Sequence, residues 1–156
     1  MSNYASGDFS KYNFDPGDIA DDDTRLLPNL FAEGGGMKRF ATPDDGDLRA
    51  GFTRVPGGEG FSTFFWYKEI WYVVEGSARL TVLDKRSGDS ETHEIGPRDA
   101  LYFPEGVRVT LENPNEEPIH FLYCAVPASR RPAPWLAAMD ESDIDDVRQR
   151  REFPGA

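Results

Sequence analysis

From Leu48 to Val126, short apolar runs alternate with polar breaks rich in glycine and proline, and within the runs the period is two. That is the spacing of strands. In LRAGFTRV, Leu48, Ala50, Phe52 and Arg54 share one parity, and Arg49, Gly51, Thr53 and Val55 the other. The stretch FSTFFWYKEIWYVVEG, residues 61–76, reads as two extended aromatic segments hinged at Tyr67-Lys68 and closed by a glycine turn. Further strands are expected over 37–40, 77–83, 91–95, 100–103, 107–113 and 119–126. In VRVTLEN, Val107, Val109 and Leu111 form one face. IHFLYCAV is apolar on both parities, as a central strand covered on both faces would be. Short strands separated by turns predict an all-β sandwich or barrel. Residues 1–46 read as an N-terminal arm, partly irregular, 47–130 as the β domain and 131–156 as a tail. The tail is expected to hold a short helix over about 141–151, acidic at its start and basic at its end as the helix dipole favours.

Composition narrows the function classes. A chain of 156 residues suits one core, and eleven Phe, six Tyr and three Trp give that core large buried area per residue. The net charge of -11 argues against a nucleic-acid partner, since no basic patch is available to displace counterions from phosphates. No apolar run reaches the ~18 residues of a membrane span, and the polar start MSNYASGDFSK does not resemble a signal peptide. The lone Cys124 allows no internal disulfide and, lying in an apolar run, reads as an inert thiol. A cytoplasmic protein with no membrane partner is expected.

One carboxylate, Glu69, stands among apolar residues at the start of the second arm of the aromatic stretch. An ionised carboxylate buried without partners is costly, so Glu69 needs a donor, a raised pKa or a chemical role. If it points inward, alternation takes Trp71 and Val73 with it and turns Ile70 and Tyr72 away.

The span from about Gly51 to Trp135 resembles a cupin, the small jelly-roll β-barrel. Gly57, Thr63, Phe65, Glu69 and Gly76 fall at the spacing of the first cupin motif, and Pro104, Gly106, Val109 and Asn113 at that of the second. Arg98, before Asp99, takes the place of the second motif's first glycine. Every histidine of the usual metal site is replaced. Tyr67–Gly76, Asp99–Gly106 and Phe121-Leu122-Tyr123 with Pro127-Ala128 are similar to the cupin domain of EutQ-type ethanolamine-utilisation proteins. The resemblance implies a barrel in which Glu69 points inward and Thr63, Phe65 and Val109 line a cavity. It implies no metal, because only Glu69 among those positions is a useful ligand and neither His93 nor His120 falls at a motif position. No other cofactor is expected.

Within that frame Glu69 is the candidate general acid or base, with His120 as its partner if the imidazole faces the cavity. Tyr67, Tyr102 and Tyr123 are candidate hydroxyl donors, and Arg54 a carboxylate clamp at the rim. Phe65, Trp66 and Trp71 would exclude water. His93, in a polar strand, reads as exposed. The leading expectation is a metal-independent enzyme doing isomerase-, lyase- or dehydratase-type acid–base chemistry on a small aromatic or carboxylate-bearing molecule. The alternatives are a non-catalytic small-molecule-binding or assembly cupin, and an acetate kinase activity like that linked to EutQ-type proteins. No phosphate-binding glycine loop of P-loop type is present for the last. A homodimer paired through sheet edges is expected.

Overall fold

Strands form where the alternation places them. The computed structural model describes residues 15, 36–41, 48–126 and 139–144. The remainder of the N-terminal arm and the helix expected beyond residue 144 lie outside the described residues. Chain order gives β1 (Gly36–Ala41), β2 (Arg49–Val55), β3 (Gly60–Phe65), β4 (Lys68–Glu75), β5 (Ala78–Asp84), β6 (Ser90–Ile95), β7 (Ala100–Phe103), β8 (Val107–Glu112) and β9 (Ile119–Val126). They make a five-stranded sheet, β1-β2-β9-β4-β7, and a four-stranded sheet, β3-β8-β5-β6. Every pairing is antiparallel. The architecture is the expected all-β jelly roll, but among the described residues the sheets share no strand and do not close into one hydrogen-bonded barrel.

Alternation decides what lies between the sheets. On β4 the odd positions Glu69, Trp71 and Val73 are buried and the even positions Lys68, Ile70 and Tyr72 exposed. On β8, Val107, Val109 and Leu111 are buried, while Arg108 and Thr110 lie on the outer side. The chain passes between the sheets at Trp66-Tyr67, whose rings are themselves buried and meet edge to face at 4.8 Å. Gly76 closes β4 at φ 79°, and a Cβ there would run into the carbonyl oxygen of Pro118. Asn113, the last residue of the second motif, is a latch. Its Nδ2 donates to the carbonyls of Val55, Pro56 and Glu117, and its Oδ1 accepts from the amide of Asn115.

Gly96-Pro97-Arg98-Asp99 forms a tight turn, closed by Asp99 N–H to Gly96 O at 3.1 Å and by Gly96 N–H to the Asp99 carboxylate at 2.8 Å. Proline suits its second position, but the third requires positive φ, and Arg98 sits there at 73°. The left-handed conformation costs a residue with a Cβ about 1–2 kcal/mol. The motif's glycine would avoid that cost.

The described end of the chain is clipped to the outer side of the four-stranded sheet. A helical turn over 141–144 opens with reciprocal bonds, Asp143 N–H to Asp140 Oδ1 and Asp140 N–H to Asp143 Oδ2, both 3.0 Å. This is the geometry of a capping box. Asp143 is fully buried and takes Arg108 at 2.7 Å and Lys85 at 3.2 Å. The Lys85 ammonium, 2.9 Å from Asp140, holds that exposed carboxyl down at about 2. No described helix is long and apolar enough to cross a membrane.

Two outcomes follow from the turn and the clip. Arg98→Gly should raise stability by up to about 1 kcal/mol, the relieved left-handed cost less the entropy that glycine adds to the unfolded chain. A higher urea midpoint at unchanged m would show it. Asp140 has a folded pKa below its unfolded value of 3.8, so its contribution is complete above pH 3.8 and is lost as pH falls towards about 2. Carboxyl NMR should find that low midpoint, and Lys85→Met should return it towards 3.8.

Candidate functional site

The inner face of β4 carries the candidate site. Glu69, 7% exposed, faces the interior, and its Oε2 accepts the indole N–H of Trp71 at 2.9 Å. Indole N–H is a donor only and needs an acceptor when buried, so each side chain meets the other's requirement. The Trp71 ring is fixed from several sides. It stacks on Phe121 at 4.2 Å, meets Phe103 at 4.6 Å, and contacts Phe61 and Phe65 at 6.0 and 6.2 Å. Thr63, Phe65 and Val109 are buried on the facing sheet, in register as Thr63↔Val109 and Phe65↔Val107. Tyr123 is buried beside Trp71 on β9. Tyr67 is buried with its ring 5.4 Å from that of Phe65.

Arg49 was not singled out from the sequence, yet register places it with Glu69. Arg49 pairs with Ala125, and Ala125 with Glu69, so the two share one row across the inner face. Two strand spacings separate their backbones, about 10 Å. The Arg49 guanidinium lies over the Tyr67 ring, 4.8 Å from its centroid, a cation–π contact that holds the cation at this end of the sheet. The signal available in the sequence was parity: Arg49 alternates with Thr53 and Val55, both buried.

Arg54, His120 and Tyr102 do not join Glu69. Phe121 stacks on Trp71 inside, so its neighbour His120 faces outward, and Arg54 pairs with His120 in register. Arg54 is therefore not a clamp at the inner rim, and the His120–Glu69 couple does not form. Tyr102 pairs with Ile70 on the outer side of the same sheet and is 61% exposed. His120 is nonetheless 1% exposed, with the Glu75 carboxylate 3.0 Å from its Nδ1. Burial pushes its pKa below the usual 6.5, opposed by Glu75 and assisted by Arg54. Cys124 is half-buried, and burial, with the Glu69 charge behind it, pushes its thiol pKa up. His93 is exposed and 3.0 Å from Glu91.

The residues at the motif's ligand positions do not fit a metal. Thr63 offers a neutral hydroxyl, Phe65 and Val109 offer no donor atom, and Glu69 accepts from Trp71. Among the described residues no group of three His, Cys, Asp or Glu gathers elsewhere.

A family model described as Cupin domain matches residues 51–125. Residues 51–125 form a cupin domain. The structure is similar to Clostridium difficile EutQ at 20% identity and TM-score 0.49, over 61% of this chain and 64% of that one. It is also similar to a Salmonella typhimurium protein described as ethanolamine utilization protein Q, at 29% identity and TM-score 0.47, over 61% and 71% of the two chains. An RmlC-like cupin of Methanocaldococcus jannaschii aligns with TM-score 0.51 at 18% identity, over 62% and 83%. The chain thus spans just under two thirds of the Clostridium protein. No curated protein matches it.

His120 should be neutral at pH 7. Its folded pKa lies below the unfolded 6.5, so its contribution to stability is present above pH 6.5 and lost as pH falls through the lower folded value. Imidazole NMR should give that depressed midpoint, and Glu75→Gln should lower it further, because Glu75 is the group that raises it.

Proposed function

We propose that this cupin is a metal-independent enzyme that moves a proton on a small carboxylate-bearing, aromatic or unsaturated molecule. The observation that carries this is Glu69, a buried carboxylate oriented by the Trp71 indole and set in an aromatic wall. Such an acid has the fixed geometry that proton transfer needs. Arg49 takes the anchoring role that the sequence suggested for Arg54: it lies on the Glu69 row and can pair bidentately with a carboxylate. Tyr67, under that guanidinium, orients it, and Trp66 and Phe65 keep water from the reacting carbon. The reaction class is isomerisation, elimination or lyase-type cleavage. The single thiol suits a reducing, cytoplasmic setting.

A second reading rests on a different observation. Four aromatic rings surround Trp71 and fill the middle of the sandwich. A packed interior of this kind suits a cupin that binds a ligand, or another protein, without transforming it.

Solvent-deuterium incorporation separates the two. A panel of small aromatic and unsaturated carboxylic acids in D2O should contain members whose acidic C–H exchanges in the presence of the protein, with or without chelator. Glu69→Gln should abolish the exchange and leave Tm nearly unchanged, since the Gln carbonyl still accepts from Trp71. Arg49→Met should weaken binding of the acids about tenfold or more. Binding without exchange supports the second reading, and exchange that survives Glu69→Gln removes Glu69 from the mechanism.

A further inference from the structure

Phe64 breaks the rule that sorts the four-stranded sheet. Alternation on β3 turns Thr63 and Phe65 inward and Phe64 outward, yet Phe64 is 0% exposed. An outward ring that meets no water needs a cover. The clip at the end of the chain lies on this row. Phe64 pairs in register with Arg108, which holds Asp143, and Met139 packs against the core cluster to which Phe64 belongs.

The cations beside Phe64 are set by the sheet itself. Arg108 Nη1 donates to Ser62 Oγ at 3.1 Å, and that hydroxyl also accepts from Thr110 at 3.2 Å. Nε and Nη2 are left pointing at Asp143 Oδ1, at 2.9 and 2.7 Å. Lys85, just after β5, is fixed by its own N–H on Gly106 O at 2.9 Å, and its ammonium spans Asp140 and Asp143. An apolar floor with two oriented cations complements one short pattern: an apolar residue, then Asp, two residues and Asp, at the opening of a helical turn. Met139, Asp140 and Asp143 supply that pattern. We propose that this side of the sheet is a recognition site for an acidic helical turn, occupied in cis by residues 139–143, and that a partner protein presenting the same pattern exchanges with them.

Exchange is open to this turn because the sheet stands without it. The pairings of β3 with β8, β8 with β5 and β5 with β6 involve none of its residues. When it leaves, Asp140, Asp143, Lys85 and Arg108 return to water together, and trading buried ion pairs for hydrated ions about breaks even. Baring Phe64 does not, so the sheet favours an occupant and the choice lies between occupants. The charges make that choice selective. A neutral segment seated there would leave Lys85 and Arg108, 13% and 15% exposed, without acceptors. The site lies on the opposite sheet from Glu69 and is independent of its chemistry.

Fluorescence anisotropy with the labelled peptide AAMDESDIDD, residues 137–146, tests the inference on the full chain. Asp140→Asn/Asp143→Asn opens the site in cis. The opened chain should bind the peptide at least about tenfold more tightly than wild type, where the tethered turn competes at an effective concentration on the order of millimolar. Adding Arg108→Met to the opened chain should abolish binding. A peptide with both aspartates changed to asparagine should not bind. One that keeps Met139, Asp140 and Asp143 with alanine elsewhere should bind within about threefold, since a few anchors carry most of such energies. A second readout needs no variant: in nitrogen-15-labelled wild type, a large excess of unlabelled peptide should shift the amide signals of residues 140–144. Signals that stay in place overturn the proposal, as does equal peptide affinity in the opened and wild-type chains. So does an opened chain that accepts the asparagine peptide equally well, or one that takes no free peptide, whether it stays alone or captures the tail of a second copy.

Discussion

The hydrogen bond between Trp71 and Glu69 joins the two requirements that shape this molecule. The indole is the centre of the aromatic packing, with Phe121, Phe103, Phe61 and Phe65 around it, and its N–H must find an acceptor inside. The carboxylate is the buried charge on the inner face of the same strand, and it must find donors there. Because the residues are two apart on β4, alternation presents both to the same side, and the 2.9 Å bond satisfies each in part. An apolar residue at 69 would leave the indole without this partner. A phenylalanine at 71 would remove a donor from the carboxylate. The pair therefore works as a unit, which ties the buried carboxylate to the packing and leaves it little freedom to reorient.

The strands were legible in the sequence because each is a short apolar or alternating run between residues that turn the chain. The hinge at Tyr67-Lys68 is a clear instance, since β3 ends at Phe65 and β4 begins at Lys68. The face of each side chain was legible where one parity was plainly apolar, as on β8; on β4 both parities carry apolar residues, and only the motif position of Glu69 assigned the faces. On β2 both parities carry an arginine, and Phe52 with Ala50 made the Arg54 parity look like the inner one. The structure shows both buried yet outside the central aromatic cluster, with Val55 inside it. Inner and outer are set by the pairing of β2 with β9 and by the Phe121–Trp71 stack, contacts remote in sequence. The same uncertainty misplaced His120, since a strand apolar on both parities does not announce its faces.

The cupin motifs separate into positions that hold the backbone and positions that hold an ion. Gly76, at φ 79° against the Pro118 carbonyl, and Asn113, bonded to three backbone carbonyls, serve the backbone and are present. Thr63, Phe65 and Val109, where ligands would stand, pack the interior. Arg98 occupies a backbone position without glycine's freedom, and the Asp99 carboxylate on Gly96 N–H and the Arg98 N–H on Val73 O hold the turn around it. Those bonds lie among the contacts that seat β4, so local strain is offset where the sheet most needs its register.

Charge placement follows the same division of faces. The four-stranded sheet uses Arg108 and Lys85 on its outer side to seat the buried Asp143, so a carboxylate with no exposure is matched by two cations and a backbone amide. Removing either cation would leave an under-compensated buried charge, a larger penalty than losing a surface pair. The outer side of the five-stranded sheet instead keeps Ile70, Tyr72 and Tyr102 uncovered between Lys68 and Glu75. β4 thus serves two environments at once, with a buried carboxylate on its inner side and exposed apolar side chains on its outer side. The period of two is what keeps the demands of one from reaching the other.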